Sequence, residues 1–459
     1  MLHTSLFFLL ATILVNSQAD FDRLQDDVRR ELRQKPAELT ISFRPGTYHF
    51  RNNQLFLGQD VDCPGTRLVI EGNGAVLVGT VPEITMTSFF RADRLVEVVD
   101  AGEKLCRIWT RNRLDAPGKL YVQVTSWYRL FTGEVTQVKG RYLYFTADKL
   151  DRSGLSYNIN GDFSYAGQRP RVRLVRVQEP DDPVSTPVFN FTGCSFREVD
   201  ISGFTFNGNA GRRMTDPDNF LIRFYSCKLC SACVHGCTFQ SIRSDVIRIA
   251  YTGGVEVRGC QFRDCSRIGV LSYNHSSGTR VVDNVFEGKG LDPEAEVTAC
   301  VKVEGTDYLV SGNRFVDYGC CAIMAGMHFT APMEYPSSGI IERNEIFQTD
   351  VCRKEAGMSL LMDTGAIYVY TQNASLEIRD NYIHDIAGPY DNRGIFCDDG
   401  TVNTYLHDNQ VLRIANSWCI DLRRVTSVET RSDSKIRQVN VGNRMEKNQV
   451  DGRIRFEQR

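Results

Sequence analysis

The chain has 459 residues, 42% of them hydrophobic, and a formal net charge of −2. This near-neutral balance, without a long Lys/Arg run, excludes the basic footprint of a nucleic-acid-binding protein. Beyond the first 19 residues, no stretch approaches the roughly 20 consecutive apolar residues that a membrane-spanning helix needs.

The first segment, Met1–Ala19, contains the apolar run Leu6–Val15 and then the small residues Ser17 and Ala19. This pattern predicts a signal peptide that is cleaved near Ala19, and therefore a secreted or periplasmic protein. A membrane-tethered cytoplasmic protein is the alternative, since the segment lacks the usual Lys or Arg before its apolar run.

Residues 20–94 are predicted to form a capping helix and the first coils of a stacked repeat. The segment Phe21–Lys35 has an amphipathic pattern that Asp20 can cap, and Pro36 follows it. A polar-backed helix of this kind protects the open end of a stack of coils. The stretches 39–48 and 67–78 are rich in β-forming residues and contain glycines, which suits coils.

Residues 95–180 lose this rhythm, and the hairpin-like stretches 119–124 and 140–145 predict a small inserted β-domain. The remaining segment, 181–459, is predicted to be the main body. It carries a repeated motif of Asn, any residue and an apolar residue, beginning at Asn284, Asn313, Asn344, Asn381, Asn409 and Asn443. Cys237 and Cys260 occupy the same motif position in the two preceding repeats.

A second column supports this repeat. Val246, Val270, Ala299, Ile367 and Ile395 each lie 14 residues before a column residue, although the repeats vary from 23 to 37 residues. A constant core with variable insertions is typical of stacked coils. Asparagine amides in equivalent turns can hydrogen-bond to the turns above and below. The pattern predicts an all-β, right-handed parallel β-helix of the pectin-lyase-like type.

The chain is far larger than a disulfide-stapled scaffold and has an odd number of cysteines, 15, so most of them are interpreted as small buried apolar residues. Cys227, Cys230, Cys233 and Cys237 have the spacing of an iron–sulfur cluster motif. Iron–sulfur and zinc sites are the alternatives there, but the place of Cys237 in the asparagine column favours a structural role, so no metal site is predicted.

Outward-facing residues are predicted from the inward column. If Ile367 and Ile395 point inward, the residues three positions later point outward, because side chains alternate along a strand. On this interpretation Tyr370 and Asp398 are direct neighbours on one outer face, with Lys302 nearby, and Asp399 points inward. The full predicted outward set is Ile249, Tyr273, Lys302, Tyr370 and Asp398.

Acidic residues recur at one edge of two adjacent coils, as Asp363 and the Asp398–Asp399 pair. Glycoside hydrolysis needs two carboxylates, roughly 5 to 5.5 Å apart for retention or 6.5 to 9.5 Å for inversion. We therefore predict Asp363, Asp398 and Asp399 as catalytic residues. The alternative is that they only organise turns, since Asp-Thr-Gly and Asp-Asp-Gly are common turn sequences; Asp399 fits this alternative best.

Substrate contacts are predicted around the same edge, on strands and on the loops beside them, because loops over a rigid scaffold often carry binding residues. The candidates are Tyr370, Lys302, His328, Arg353 and Arg393.

Four segments resemble a known family. Asp363–Tyr368 (DTGAIY), Ile378–Ile386 (IRDNYIHDI), Gly394–Gly400 (GIFCDDG) and His407–Val411 (HDNQV) are similar to motifs of the pectin-lyase-like glycosidases, most of all the β-helix α-L-fucosidases and xylanases of glycoside hydrolase family 141. The resemblance implies a β-helix with an inserted β-domain and hydrolytic chemistry at Asp363 and the Asp398–Asp399 pair. Phe396–Cys397 replaces the family's Tyr-Leu.

Three functions follow. The leading hypothesis is a secreted, monomeric glycoside hydrolase acting on a plant or host polysaccharide without a cofactor. The second is a polysaccharide lyase that uses Ca²⁺ to neutralise a uronate and a base such as Lys302 or Arg353. The third is a non-catalytic glycan-binding β-helix with exposed aromatic residues such as Tyr370.

Overall fold

The computed structural model describes residues 9–456, apart from 51–53, 80–82, 92–96, 101–102, 104, 110–118, 127–128, 147–170, 179–186, 210–219, 243, 266, 289–298, 320, 327–336, 350–363, 370–371, 388–391, 399–400, 416, 423–427, 432–433 and 438–441. The described residues form a right-handed parallel β-helix, and this confirms the predicted fold class with its capping helices and small inserted β-domain. Each coil passes through three strands, and each strand pairs in parallel with the equivalent strand of the next coil.

The three parallel sheets are numbered in the order in which a coil passes through them, and their strands are given for the described part of the chain. Sheet I consists of Leu55–Leu57, Phe189–Thr192, Phe220–Tyr225, Asp245–Ala250, Val270–Tyr273, Ala299–Val303, Cys321–Ala325, Thr364–Val369, Asn392–Cys397, Trp418–Leu422 and Arg453–Phe456. Sheet II consists of Leu10–Val15, Glu38–Phe43, Asp62–Glu71, Ser195–Ser202, Lys228–His235, Val255–Arg258, Arg280–Val282, Tyr308–Ser311, Ser337–Glu342, Gln372–Arg379, Val402–His407 and Arg444–Glu446. Sheet III consists of Thr47–His49, Val76–Val78, Thr205–Asn209, Thr238–Ile242, Gln261–Arg263, Val285–Glu287, Arg314–Val316, Glu345–Phe347, Tyr382–Ala387, Gln410–Ala415 and Gln449–Val450.

Two further sheets are antiparallel. A seven-stranded sheet is inserted between the second and third strands of sheet III, and a two-stranded hairpin follows sheet I near the C-terminus. In sheet order, the inserted strands are Glu83–Arg91, Arg171–Gln178, Lys119–Ser126, Arg129–Lys139, Tyr142–Thr146, Leu105–Trp109 and Glu97–Asp100; the hairpin strands are Val428–Arg431 and Ser434–Arg437.

Two short helices cover the first coil, Gln18–Asp22 and Leu24–Leu32. The first begins one turn earlier than predicted, because the hydroxyl of Ser17, rather than Asp20, accepts the capping hydrogen bond from a backbone N–H. The ring of Phe21 packs edge-on against core aromatic residues of the first coil. The helices thus close the open end of the core.

The apolar run near the N-terminus also belongs to the fold in the structure. Leu10–Val15 pairs in parallel with Glu38–Phe43 as the outermost strand of sheet II, and Val15 is fully buried. The prediction that this run is a cleaved signal peptide stays a prediction.

Aromatic rings stack along the inside of sheet III. The rings of Phe206, Phe239, Phe262, Phe286 and Phe315 lie nearly parallel, with successive centroids 4.4 to 5.0 Å apart. This spacing matches the roughly 4.8 Å between parallel strands, so equivalent side chains of successive coils stack directly. Each coil therefore buries its apolar residues against the next coil.

The asparagine column is a continuous hydrogen-bonded ladder in the turn between sheets II and III. The Oδ1 atom of Asn344 accepts hydrogen bonds from the backbone N–H and the side-chain amide of Asn313, both at 3.0 Å. The Nδ2 atom of Asn344 donates to the carbonyl of Val310 at 3.0 Å and to Asn381 at 2.9 Å. The prediction that these amides join one turn to the next is confirmed.

The last member of the ladder differs from the prediction. Asn409 donates its backbone N–H to Oδ1 of Asn448 at 3.1 Å, whereas Asn443 accepts from Thr404. Both asparagines are followed by an apolar residue two positions on, so the motif alone did not distinguish them. Strand pairing decides, because Gln410 pairs with Gln449.

The inward column of sheet I also needs a correction. The residues that pair across successive coils are Ile247, Val270, Val301, Ile323, Ile367, Ile395 and Ile420, and all are fully buried. Val246 and Ala299 are therefore one and two residues out of register. The turn between sheets I and II varies in length, and this variation invalidates the constant spacing of 14. As a result Ile249, predicted to face outward, is fully buried in the core.

Candidate functional site

The candidate site lies on the outer side of sheet I, near its C-terminal end. The residues that directly follow the inward column pair with one another along this side: Leu271, Lys302, Met324, Tyr368, Phe396, Asp421 and Arg455. We call these residues the outer column. Toward the C-terminus it changes from the aliphatic residues Leu271 and Met324, with Lys302 between them, to aromatic residues and then to the charged residues Asp421 and Arg455.

Asp398 and Tyr368 form the central contact of the site. Asp398 follows the strand Asn392–Cys397 and is only 6% exposed. The hydroxyl group of Tyr368, on the preceding coil, donates a hydrogen bond to its Oδ2 atom at 2.5 Å. A hydrogen bond of this kind stabilises the ionised form of a carboxylate. The site therefore holds one carboxylate in place through a neighbouring coil.

Aromatic packing links this contact to a buried ion pair. The rings of Tyr368 and Phe396 meet edge to face at 5.2 Å, and the guanidinium of Arg393 lies 3.8 Å from the centroid of Phe396. Phe396 and Arg393 have no exposed surface. A cation over an aromatic face is attracted by the ring's negative quadrupole. Phe396 thus packs between Tyr368, which binds Asp398, and the guanidinium of Arg393.

Asp421 is the centre of the ion pair. It is fully buried, and it accepts hydrogen bonds from Nε of Arg393 at 2.5 Å and from Nε of Arg455 at 2.6 Å. The guanidinium of Arg455 also lies 4.8 Å from the ring centroid of Trp418. A buried carboxylate held by two guanidiniums is fixed in position, which suits a rigid support for the site.

The thiol of Cys397 lies close to the site. Burial raises the pKa of the Cys397 thiol, and the negative charges of Asp421 and Asp398 raise it further. Cys397 is therefore a neutral, buried residue beneath the site and not a thiolate nucleophile.

The structure brings together some of the predicted residues. Asp398 lies in the site as described. Lys302 is in the outer column, but its neighbours are Leu271 and Met324 rather than Tyr370 or Asp398. The predicted neighbours of Lys302 are therefore wrong, because the constant spacing left out the strand Cys321–Ala325, which lies between the strands of Lys302 and Tyr368.

Arg393 is close to Asp398 in sequence and is wholly buried against Phe396 and Asp421. This burial favours a positioning role over direct contact with a substrate. The remaining candidates lie outside the described residues: Asp363, Asp399, Tyr370, His328 and Arg353.

The sequence reasoning missed Tyr368, Asp421 and Arg455. Tyr368 directly follows Ile367 in the DTGAIY segment, so its outward direction was readable from alternation along the strand. Asp421 and Arg455 lie in the last two strands of sheet I, one before and one after the insertion between sheets I and II that hides the repeat.

Searches against known proteins bear on the fold. No protein-family model matches the chain, and no curated protein matches it. A solved structure described as a glycoside hydrolase is similar with a TM-score of 0.54, at 10% sequence identity and with 96% of each chain covered. At so low a sequence identity, this structural similarity shows a shared fold and no more.

Two further solved structures have lower TM-scores. XylC in complex with xylose has a TM-score of 0.43 at 9% identity, covering 96% of this chain and 75% of that one. The catalytic unit of a thermostable GH87 α-1,3-glucanase from Streptomyces thermodiastaticus has a TM-score of 0.30 at 12% identity, covering 82% of this chain and 97% of that one. In the described part of the molecule, neither helix has the length and apolar character needed to cross a bilayer.

Proposed function

We propose that the protein is a glycoside hydrolase that cleaves a polysaccharide, with Asp398 as the ionised carboxylate of its catalytic pair. The observation that carries the proposal is the hydrogen bond from Tyr368 to Asp398 on the outer side of sheet I. The shared fold with a glycoside hydrolase supports this class of reaction. The resemblance of the DTGAIY and GIFCDDG segments to glycoside hydrolase family 141 supports it as well.

The environment of Asp398 suits one of the two roles in glycoside hydrolysis. The general acid must be protonated at neutral pH, whereas the base or nucleophile must be ionised. Donation by the Tyr368 hydroxyl stabilises the ionised form. We therefore assign Asp398 the role of base or nucleophile, and Tyr368 the role of orienting its carboxylate.

The partner carboxylate is proposed to be Asp399 or Asp363, and the register favours Asp399. Thr364 pairs with Asn392 at the start of the two strands, and Asp398 follows their end at Cys397. Five residues separate Asn392 from Cys397, which corresponds to roughly 16 Å of strand. A catalytic pair needs about 5 to 9.5 Å. Asp363 directly precedes Thr364 in the chain, whereas Asp398 follows the opposite end of the paired strands. The length of the strands therefore disfavours Asp363 as the partner.

The test is release of reducing ends from xylan, pectin and fucosylated glycans. We expect Asp398→Asn to lower kcat about 10²- to 10⁴-fold, the usual contribution of a positioned proton-transfer group. Tyr368→Phe keeps the ring packing and should cause a smaller loss. Asp380→Asn is the matched control, because this exposed carboxylate lies in the turn after sheet II.

Asp399→Asn and Asp363→Asn, measured in parallel, identify the partner by which variant loses activity comparably to Asp398→Asn. Full hydrolysis by Asp398→Asn would contradict the proposal. An unsaturated uronate product whose formation needs Ca²⁺ would instead establish a lyase, for which Lys302 is the candidate base. Glycan binding without any product would establish a non-catalytic β-helix.

A further inference from the structure

A second group of reactive side chains lies on sheet II. Asp200, Cys233 and His235 each offer one ligating atom, and these atoms lie within 4.8 Å of one another. They come from the adjacent strands Ser195–Ser202 and Lys228–His235, in which Asp200 pairs directly with Cys233. Sheet II is distinct from the sheet that carries Asp398. The proposed hydrolase chemistry does not use these three residues.

We propose that Asp200, Cys233 and His235 form a binding site for Zn²⁺. A thiolate, an imidazole and a carboxylate are the three side-chain ligands that Zn²⁺ takes in proteins. Ca²⁺ and Mg²⁺ prefer sets made of oxygen ligands, so the thiol and imidazole select against them. Three protein ligands leave the fourth tetrahedral position for water or for an exogenous ligand.

The distances suit the ion after small side-chain rotations. Bonds of about 2.0 to 2.3 Å in a tetrahedral zinc site place its ligand atoms roughly 3.3 to 3.7 Å apart. Nε2 of His235 lies 2.9 Å from Oδ1 of Asp200, so this pair must open slightly around the ion. The ligand atoms of all three residues lie within 4.8 Å, so the largest required approach is about 1 Å.

The site is reachable from solvent, and its carboxylate is already oriented. The side chain of His235 is 30% exposed and that of Asp200 is 17% exposed. Nη2 of Arg67 binds Oδ2 of Asp200 at 3.1 Å, which leaves Oδ1 facing His235. Groups that hold a ligand in this way are common features of metal sites.

Positive charge around the site is compensated. Arg67 also forms ion pairs with Glu38 and Glu198, both at 3.2 Å. Arg258, beside Cys233, pairs with Glu256 at 3.0 Å. Each guanidinium near the site thus has a carboxylate partner besides the proposed ligands. The electrostatic repulsion of a bound cation is therefore weaker than the two arginines alone would produce.

The site differs from the four-cysteine cluster weighed from the sequence. Cys227 is buried in the turn between sheets I and II, with its sulfur 3.8 Å from that of Cys194. Cys237 is buried in the turn between sheets II and III, and Cys230 is exposed on the same strand as Cys233. The four cysteines therefore do not converge. The third proposed ligand, Asp200, is 35 residues from His235 and becomes its neighbour only through stacking.

The test is titration of the reduced, full-length protein with Co²⁺, followed by displacement with Zn²⁺. We expect one equivalent of Co²⁺ to bind, with visible bands of a tetrahedral ion and a thiolate-to-metal charge-transfer band in the near ultraviolet. Cys233→Ser should abolish the charge-transfer band. It should also weaken binding at least about 100-fold, more than the loss of a group that only orients a ligand.

His235→Gln provides an independent check, and we expect a similar loss of affinity with the thiol still present. Cys230→Ser is the matched control, because it removes an exposed thiol from the same strand and should leave the titration unchanged. Thermal unfolding of the metal-free variants checks that each is folded. A wild-type chain that binds no Co²⁺ at stoichiometric concentration, or a Cys233→Ser variant with an unchanged spectrum, would overturn the proposal.

Discussion

Substituting Asn344 with alanine tests whether the ladder stabilises the stack. The change removes four hydrogen bonds: two that Oδ1 accepts from Asn313, and two that Nδ2 donates to Val310 and Asn381. The side chain of Asn313 keeps bonds to other carbonyls, and Asn381 still accepts from the backbone N–H of residue 344. The backbone N–H of Asn313 and the carbonyl of Val310 lose their ladder partner.

The expected destabilisation follows from these two groups. Leaving a buried backbone group without its hydrogen bond costs about 1 to 3 kcal/mol. Two such groups predict a loss of about 2 to 6 kcal/mol in the free energy of unfolding, with a central value of about 4 kcal/mol. This is a large fraction of the roughly 5 to 15 kcal/mol by which native proteins are stable.

The measurement is urea-induced unfolding followed by far-ultraviolet circular dichroism. Asn448→Ala is the matched control, because Asn448 makes the same kind of contacts at the last described position of the ladder but is only partly buried. Water can replace its hydrogen bonds, so we expect a loss below about 1.5 kcal/mol. Equal losses at the two positions, or a loss under about 1 kcal/mol for Asn344→Ala, would refute the reasoning.

Three further predictions concern charge and processing. Asp421→Asn should lower the free energy of unfolding by about 3 to 5 kcal/mol in urea denaturation, since it removes the carboxylate that pairs the buried Arg393. Asp385→Asn, which removes a carboxylate paired with a half-exposed arginine, should cost under about 1 kcal/mol. Although burial opposes it, hydrogen bonding to two neighbouring carboxylates raises the pKa of His407. Its contribution to the free energy of unfolding is therefore full below the ordinary histidine pKa of about 6.5 and is lost as the pH rises through the higher folded value. The stability difference between the wild type and His407→Gln should shrink over that interval when unfolding is measured as a function of pH, and a constant difference would contradict the assignment. Intact mass of the exported protein should show cleavage near Ala19, and a chain that retains its first 19 residues would exclude a signal peptide.

The fold was predictable because the repeated asparagine has a structural cause, the hydrogen bonding between the turns of successive coils. A buried turn amide must find partners, and an asparagine can reach the turns of both neighbouring coils. Asn284 through Asn409 were therefore readable as one column. The same motif at Asn443 and Asn448 was ambiguous, because the sequence does not record which asparagine follows a paired strand.

The candidate site was only partly predictable. A side chain's direction follows from alternation once one residue of the strand is known, but the register between coils depends on turn lengths. An error of one residue at Val246 exchanged outer for inner positions, so that Ile249 was predicted on the wrong face. The constant spacing also left out the strand Cys321–Ala325, which separates Lys302 from Tyr368. Contacts such as Tyr368 with Asp398 arise only after two coils are aligned.

The N-terminal apolar run shows a limit of a different kind. Residues Leu10–Val15 alternate well enough to form an edge strand against Glu38–Phe43, and they are also apolar enough for the core of a signal peptide. Both interpretations use the same residues, because the core of a signal peptide and a strand with one face against the protein core both need apolar side chains. Whether the mature protein retains these residues separates the two interpretations.

The ladder and the candidate site are mechanically connected, since both join the same two coils. Asn381 lies in the coil that carries Tyr368, and Asn409 lies in the coil that carries Asp398. The backbone N–H of Asn381 donates to Asn409 at 3.1 Å, and its side-chain amide donates at 2.9 Å. These bonds fix the register in which the Tyr368 hydroxyl meets its carboxylate. A stack without lateral slip thus pre-organises the proposed catalytic contact, whose members are 30 residues apart.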